Sequence, residues 1–330
     1  MLAKVAAYRT LVLVGVLAAL VATACGGAGS PTPSQTATAG LSPAANGCRP
    51  DRDGLTPGAT VVRKLSSGGQ EREYRLHMPA NGGAGPWPLV LNWHGLGGSA
   101  LLQEAYSGLV PLSDQHGFVL VSPDGTGSPR GFAAFPGIGA TDDIQFTRDL
   151  LDAVICDADV DPPRVYSTGH SNGGFMSSRI GCELGDRIAA IAPVAGVFVP
   201  ANGTCKRSIP VMAFHGTADT VVPYEKGLIL GILPYDGAVA GAQDWAVTNP
   251  AIPRSQCDAI GVGEGKLSEH VVRLDVTGCS TEPVVLIKVV DGGHTWPGAI
   301  DVPSLGTTTR EISASEMMWE FFKEKRSPAR

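Results

Sequence analysis

Three residues whose types work together in acyl-transfer chemistry each lie beside glycines. Ser171 occurs in GHSNGG, Asp219 in HGTADT and His294 in GGHTWPG. A serine hydroxyl is a weak nucleophile at neutral pH, so it needs a histidine to accept its proton and an acid to orient that histidine. The set therefore predicts Ser171 as nucleophile, His294 as general base and Asp219 as the acid.

Two other acids compete with Asp219 for this role. Asp301 follows His294 in the chain, and Asp291 ends the apolar run before it. Asp219 instead follows a separate apolar run, IPVMAFHG, so a different strand is expected to deliver it to the site. We therefore favour Asp219 over both rivals.

Ester chemistry also requires backbone N–H groups that stabilise the oxyanion of the tetrahedral intermediate. The N–H of Asn172 directly follows the candidate nucleophile and is expected to open a helix, so it is one predicted donor. The segment LVLNWHGLGG is expected to supply the second donor. The N–H of Leu96 is our first choice there, and that of Gly95 is the second.

Short, nearly continuous apolar runs are expected to position these residues. Such runs are typical of strands that are buried on both faces of a parallel sheet. They alternate with helix-like segments, which predicts a doubly wound α/β sheet with helices on both faces. The runs are WPLVLNWHG, GFVLVSPDG, RVYSTGHS, IAAIAPVAG, IPVMAFHG and VVLIKVV.

Four segments have helical patterns, and two of them carry N-terminal capping signals. Thr141, Asp142 and Asp143 fit the first turn of one helix, and Ser313 with Glu316 forms a capping box at the last one. The predicted helices are Ser99 to His116, Thr141 to Cys156, Asn172 to Cys182 and the C-terminal segment.

Residues 225–283 form the least regular part of the chain. They are rich in glycine and contain GLILGILPYDGAVAGAQDW. A long insertion between core strands is more often a binding loop than a second domain. We therefore expect this insertion to be loop-like and to border the substrate.

The N-terminus has the features of an export signal. Lys4 and Arg9 precede the apolar run LVLVGVLAALVA, and ATAC ends this region at Cys25. The pattern looks like a bacterial lipoprotein signal over residues 1–24, with Cys25 lipidated and residues 25–47 forming a flexible tether. Cleavage by the ordinary signal peptidase, followed by full secretion, is the alternative. The folded domain is expected to span residues 48–330.

The cysteines indicate an oxidising compartment. The chain has seven cysteines, and removing Cys25 leaves six, an even number in an exported protein that predicts three disulfides. Cys257 and Cys279 are predicted to pair because the segment between them can fold back as a hairpin. The pairing of the other four stays open, and they are Cys48, Cys156, Cys182 and Cys205.

The overall charge argues against polyanionic partners. The formal net charge is -6, 17% of the residues are charged, and no basic run occurs. These values predict neither a nucleic-acid surface nor an electrostatic membrane patch. A membrane partner is expected only through the N-terminal lipid.

From about Arg72 to His294, the chain resembles the polyhydroxybutyrate depolymerase and feruloyl or acetylxylan esterase family of α/β-hydrolases. The resemblance implies the α/β-hydrolase fold and the same roles for the serine, aspartate and histidine. It also implies that Trp296 lies beside the substrate. His170, where many relatives have a smaller or aliphatic residue, is a further candidate substrate contact. The matching blocks are HGLGGS, DDIQFTRDLL, DPPRVYSTGHSNGGFM, APVAG, HGTADTVVPY and GGHTWPG.

These features together predict an extracytoplasmic serine esterase that needs no metal or organic cofactor. Its expected substrates are small or oligomeric esters, either hydroxybutyrate polyesters or feruloyl and acetyl esters of plant polysaccharide. A cell-envelope acyltransferase resembling mycolyltransferases would need the same acyl-enzyme, so the candidate residues leave that alternative open. A non-catalytic surface lipoprotein is a third alternative, which the complete candidate set disfavours.

Overall fold

The computed structural model describes residues 51, 53–81, 83, 85–139, 141–200, 205–257 and 260–328. These residues lie within one compact unit that spans residues 49–330. The predicted signal and tether, with Cys25 and Cys48, lie outside the described residues. No helix within the described ranges is both long enough and apolar enough to cross a lipid bilayer.

Twelve strands and six α-helices make up the described part of the chain. The strands are β1 (Thr60–Ser67), β2 (Gln70–His77), β3 (Trp87–Trp93), β4 (Val119–Pro123), β5 (Val160–His170), β6 (Ala190–Val194), β7 (Val211–Gly216), β8 (Gly227–Ile229), β9 (Leu233–Tyr235), β10 (Gly261–Lys266), β11 (Val271–Thr277) and β12 (Val284–Val289). The helices are α1 (Ala100–Ser107), α2 (Leu109–His116), α3 (Asp143–Asp157), α4 (Asn172–Glu183), α5 (Ala238–Ala246) and α6 (Ala314–Phe322).

Ten of these strands form one sheet in the order β1-β2-β4-β3-β5-β6-β7-β12-β11-β10, and β8 pairs with β9 separately. The six strands from β4 to β12 in this order are parallel to their neighbours. The outer strands on both sides pair antiparallel. Because the central strands are parallel, their carboxyl ends meet at one edge, where ligands bind in open α/β sheets.

Alternate residues of the central strands face two separate cores. Leu89 and Leu91 of β3 belong to a core that also contains residues of α3, α4 and α5. Val90, between them, belongs to a second core with residues of α2 and α6. Helices therefore cover both faces of the sheet, which confirms the predicted α/β-hydrolase architecture.

Two expectations about regular structure were wrong. The predicted helix from Ser99 to His116 is two helices, which are separated at Gly108 with a φ of 65°. The insertion is not loop-like, because it contains the β8–β9 hairpin, α5 and the two strands that extend the main sheet, β10 and β11. Strand β10 reads GVGEGK and all its residues are exposed, so it lacks the apolar pattern that identifies a strand.

Two disulfides within the described residues join cysteines that lie 22 and 23 residues apart in the chain. Cys257 is bonded to Cys279, which confirms the predicted pair, and Cys182 is bonded to Cys205. Cys156 is disulfide-bonded as well. Such bonds persist in oxidising compartments.

The two acids at the start of α3 have different functions. Asp142 caps the helix as predicted, because its side chain accepts a hydrogen bond from Gln145 N at 2.9 Å. Asp143 is completely buried, and its Oδ1 lies 2.7 Å from Arg72 Nη2 of β2. Its Oδ2 accepts a hydrogen bond from Ala133 N at 2.7 Å. Asp143 therefore connects the sheet to the loop between β4 and α3.

Replacing Arg72 with methionine should strongly destabilise the domain. The change leaves the Asp143 carboxylate buried without its cation, a loss that costs about 3–5 kcal/mol. Urea unfolding of the oxidised protein measures the change. Lys64→Met is the matched control, because the Lys64–Glu71 pair on β1 and β2 is exposed at 56% and 68% and should contribute less than about 1 kcal/mol. Equal losses in the two variants would contradict a special contribution from the buried pair.

Candidate active site

Ser171 lies on a sharp turn between strand β5 and helix α4. Its φ of 56° and ψ of -118° are unusual for a residue with a side chain. Two backbone hydrogen bonds of 2.9 Å hold it there, one from Ser171 N to Val194 O and one from Phe175 N to Ser171 O. The serine thus lies at the carboxyl edge of the sheet, at the start of a helix.

The absence of a side chain at Gly173 allows α4 to pack directly against the end of β3. A Cβ atom at Gly173 would lie only 2.0 Å from the carbonyl oxygen of Trp93. At Gly169 it would lie 2.5 Å from the carbonyl oxygen of Gly173. Glycine is required at both positions because the conflicting atoms belong to the backbone and have little freedom to move.

Asp219 and His294 are in direct contact, although 75 residues separate them in the chain. His294 Nδ1 lies 2.7 Å from Asp219 Oδ2, and the two residues are only 3% and 6% exposed. The other carboxylate oxygen of Asp219 accepts hydrogen bonds of 2.8 Å from the N–H groups of Val221 and Val222. Hydrogen bonds to both of its oxygens therefore fix the orientation of the carboxylate.

The environment of Asp219 favours its charged form. Burial by itself would raise the pKa of Asp219, but hydrogen bonds from His215 and His294 outweigh burial and lower this pKa well below its ordinary value. His215 Nε2 lies 3.5 Å from Asp219 Oδ2 and donates a hydrogen bond of 2.9 Å to Val222 O. Asp219 is thus ionised throughout the pH range in which a histidine usually titrates.

The two rival acids lie elsewhere. Asp301 is exposed and pairs with Arg310 at 3.3 Å. Asp291 is also exposed, and its backbone N–H donates to Thr217 Oγ1. Of the three candidate acids, Asp219 is the one that contacts His294.

Trp296, which the family resemblance placed beside the substrate, is buried. Its side chain is 1% exposed and belongs to the core that contains α2 and α6. Its Nε1–H donates to Ser315 Oγ at 3.0 Å, so the polar atom of the indole already has a partner. Trp296 therefore anchors the loop that carries His294, and its predicted contact with substrate stays a prediction.

Gly95 approaches the serine closely. A Cβ atom at Gly95 would lie 3.5 Å from Ser171 Cβ, so the loop after β3 contacts the turn that carries the serine. His94 holds this loop, since its Nε2 accepts from Gly125 N at 2.9 Å and its Nδ1 donates to Gly95 O at 2.7 Å. Burial lowers the pKa of His94, which keeps this imidazole neutral.

Asn172 and Leu96, the other two predicted oxyanion donors, both lie near the segment around Phe132. Asn172 is the first residue of α4, where backbone N–H groups lack partners within the helix. Its side chain is held by Phe132, whose N–H donates to Asn172 Oδ1 at 2.8 Å and whose carbonyl accepts from Asn172 Nδ2 at 3.0 Å. The Leu96 side chain is 46% exposed and lies against Gly131. The donor roles of Asn172, Leu96 and Gly95 stay predictions.

Sequence reasoning missed two features of this site. One is the contact of His215 with Asp219, for which the adjacent HGTAD motif was the available signal. The other is the contact between His170 and His294: His170 is 6% exposed and its Nε2 donates to His294 O at 3.2 Å. This places His170 behind the histidine loop, and its predicted contact with substrate stays a prediction.

Ser171 lies at the carboxyl edge of the sheet, and the strands that lead to Asp219 and His294 are neighbours there, as in an α/β-hydrolase. Comparisons with known proteins agree with this fold. The chain is 32% identical over 339 residues to "Putative esterase NocK" of Nocardia uniformis subsp. tsuyamanensis, covering 92% of this chain and 96% of that relative. It is 29% identical over 280 residues to "Feruloyl esterase D" of Neurospora crassa, covering 81% and 86%. The chain belongs to this family of esterases and is itself an esterase.

A solved structure agrees with the fold. "Acetyl xylan esterase from Aspergillus awamori" superposes with a TM-score of 0.54 over 80% of this chain and 99% of that one. At 14% sequence identity, this likeness shows the fold alone. No protein-family model matches the chain.

Replacing Gly173 with alanine should disrupt the turn at Ser171. The new Cβ atom would clash with Trp93 O, and forcing extra atoms into a packed region costs about 1–3 kcal/mol. Thermal unfolding and the yield of soluble protein measure the loss. Gly265→Ala on the exposed strand β10 is the control, because a Cβ atom there has open space and should change stability by less than about 0.5 kcal/mol. Equal stability of the two variants would contradict the close approach of α4 and β3.

Proposed function

We propose that this esterase hydrolyses carboxylic esters through a covalent acyl-enzyme on Ser171. In this proposal His294 is the general base and acid, Asp219 orients it, and the oxyanion donors are the N–H of Asn172 and that of Leu96 or Gly95. The hydrogen bond of 2.7 Å between His294 and the buried, ionised Asp219 carries the proposal. That bond occupies Nδ1 and leaves Nε2 to exchange a proton with the serine.

Acylation begins when Ser171 Oγ attacks the carbonyl carbon of the ester and His294 Nε2 takes the hydroxyl proton. The resulting intermediate has one negative charge on the former carbonyl oxygen, which the backbone N–H groups stabilise. The bond to the alcohol oxygen then breaks. His294 returns its proton to that oxygen, the alcohol leaves, and the acyl group remains bonded to Ser171.

Deacylation repeats these steps with water. His294 takes a proton from water as the water oxygen bonds to the acyl carbon. The bond between that carbon and Ser171 Oγ then breaks, and the proton returns to Ser171. A carboxylic acid is released, and both residues regain their starting protonation states. Asp219 stabilises the imidazolium of His294 in each half of the cycle.

We propose aromatic acyl groups, of the feruloyl type, as preferred substrates. An aromatic cluster begins at Phe175, one turn after Ser171 on α4. The ring centroid of Phe175 lies 4.8 Å from that of Phe135 and 5.4 Å from that of Phe198. Phe135 and Phe198 are both partly exposed. Such rings can pack against an aromatic acyl group, and the name of the Neurospora crassa relative supports the same choice. Acetyl esters and hydroxybutyrate oligomers are the alternatives.

The proposal is tested by comparing the wild type with Ser171→Ala on 4-nitrophenyl acetate, methyl ferulate and hydroxybutyrate oligomers. Removing the nucleophile should lower kcat at least about 10⁴-fold, and Asp219→Asn should lower it about 10³-fold to 10⁴-fold. Methyl ferulate should give the highest kcat/KM among the three. Ser178→Ala is the control, because it removes another buried hydroxyl on α4, one that donates to Gly196 O.

Other outcomes would redirect the proposal. Activity of Ser171→Ala within tenfold of the wild type would rule out this nucleophile. Ester consumption that requires added trehalose or glycerol and yields transfer products would favour the acyltransferase. A preference for hydroxybutyrate oligomers would overturn the aromatic acyl group while leaving the hydrolase intact.

We further propose that the enzyme works outside the cytoplasm, attached to the membrane by a lipid on Cys25. The disulfides support an oxidising compartment, and the signal-like sequence that ends at Cys25 supports lipidation. A single attached diacylglycerol-type lipid would place the esterase at the membrane surface, with residues 25–47 as the tether.

Replacing Cys25 with alanine should abolish membrane attachment, because lipidation requires the thiol. In a bacterial host that processes lipoproteins, detergent phase separation should move the esterase activity from the detergent phase to the aqueous phase. Cys257→Ala is the control, because it breaks a disulfide of the folded domain but keeps Cys25. The fraction of this variant that folds should remain in the detergent phase. Wild-type protein in the aqueous phase would contradict lipidation and favour simple secretion.

A further inference from the structure

Two side chains from separate elements hold the backbone on either side of Thr295. At the first end, His170 Nε2 donates a hydrogen bond of 3.2 Å to the carbonyl of His294. At the second end, the hydroxyl of Tyr106 accepts a hydrogen bond of 3.0 Å from the N–H of Trp296. The histidine that contacts Asp219 therefore belongs to a tripeptide that is fixed at both ends.

The two holding side chains also contact each other. The ring centroids of His170 and Tyr106 lie 5.6 Å apart in an edge-on arrangement, and that of His170 lies 4.6 Å from the ring of His294. His170 ends strand β5, and Tyr106 lies on α1. Strand β5, helix α1 and the loop that carries His294 are thus connected through the ring of His170.

His170 is suited to be a permanent hydrogen-bond donor. Burial, together with the nearby His294, lowers the pKa of His170 to about 3. The imidazole is therefore neutral at pH 7, and it has a single N–H. Because the carbonyl of His294 can only accept, that N–H must be on Nε2. His170 cannot compete with His294 for a proton under these conditions.

The location of His170 gives this bond a consequence beyond packing. His170 directly precedes Ser171, so it connects the backbone that carries the nucleophile to the carbonyl of the residue that carries the base. A shift of either segment would move the other with it. The distance between a nucleophile and its base must be controlled closely, since an error of about 1 Å can cost about 10²-fold in rate.

We propose that His170 and Tyr106 are positioning residues that fix His294 relative to Ser171. The inference rests on the proposed function, in which His294 is the base. It assigns both side chains to holding the backbone that carries His294, so their loss should affect the chemical step more than substrate binding. The expected signature is a lower kcat with a nearly constant KM.

Three variants test the proposal on 4-nitrophenyl acetate. His170→Phe keeps a ring but loses the donor, and kcat should fall about 10-fold to 100-fold while KM changes less than about threefold. His170→Gln keeps an N–H at a similar distance from the backbone, so it should retain kcat within about fivefold of the wild type. Tyr106→Phe removes only the hydroxyl, and kcat should fall about 3-fold to 10-fold.

Thr168→Val is the matched control. Thr168 lies two residues before His170 on the same strand, and its buried hydroxyl also donates to a backbone carbonyl, that of Ala192 at 2.6 Å. Its loss should lower the melting temperature but leave kcat within about twofold. The comparison separates loss of a buried hydrogen bond in general from loss of the bond to the histidine loop.

Several results would overturn the proposal. It fails if His170→Phe and Tyr106→Phe keep kcat within twofold, if KM rises as much as kcat falls, or if Gln performs no better than Phe at position 170. If His170→Phe does not fold, Tyr106→Phe and His170→Gln still decide the outcome. Failure of the proposed function is recognised separately, since His294→Ala would then retain activity.

Discussion

The position of the candidate nucleophile depends on how closely α4 packs against the end of β3. Trp93 O occupies the space that a side chain at residue 173 would need. This close approach makes the chain turn sharply from β5 into the helix, and Ser171 takes the strained conformation at that turn. The strained backbone of Ser171 and the need for glycine at residues 169 and 173 thus follow from the same close packing. This packing also brings the N-terminus of α4 to the carboxyl edge of the sheet.

Around this turn, parallel strands deliver the remaining groups from distant parts of the chain. Strand β7 leads to Asp219 and β12 leads to His294, and these strands are neighbours in the sheet. Their adjacency explains why two residues 75 positions apart share a buried hydrogen bond. The carboxylate must be buried to orient the imidazole, and its hydrogen bonds with backbone and histidine N–H groups compensate for the loss of water.

The loop between β4 and α3 has a supporting function that its sequence does not reveal. Phe132 of this loop holds the Asn172 side chain, and Ala133 is bonded to the buried Asp143, which pairs with Arg72. A chain of polar contacts therefore runs from the antiparallel part of the sheet to the residue next to the serine. Burying an ion pair is costly unless both partners are retained, so this support depends on each member.

Local patterns were sufficient to predict the central strands, the strand-to-helix turn at Ser171 and the choice of Asp219 and His294. Each of these residues follows a buried apolar run beside glycines, and both signals lie within a few residues of the position itself. The same is true of Asp142 and Ser313, whose capping contacts reach only three residues ahead. The sequence alone therefore determined the architecture and the candidate chemistry.

Only the tertiary structure decided which side chains surround these residues. Trp296 packs into the core, His170 holds His294, and Arg72 pairs with Asp143 because the fold brings together segments 71 to 190 positions apart in the chain. The strands of the insertion were missed for a related reason, since β10 is defined by pairing with β11 rather than by apolar periodicity. A one-dimensional pattern reports burial and local geometry, but contacts between distant segments are set by how the sheet is assembled.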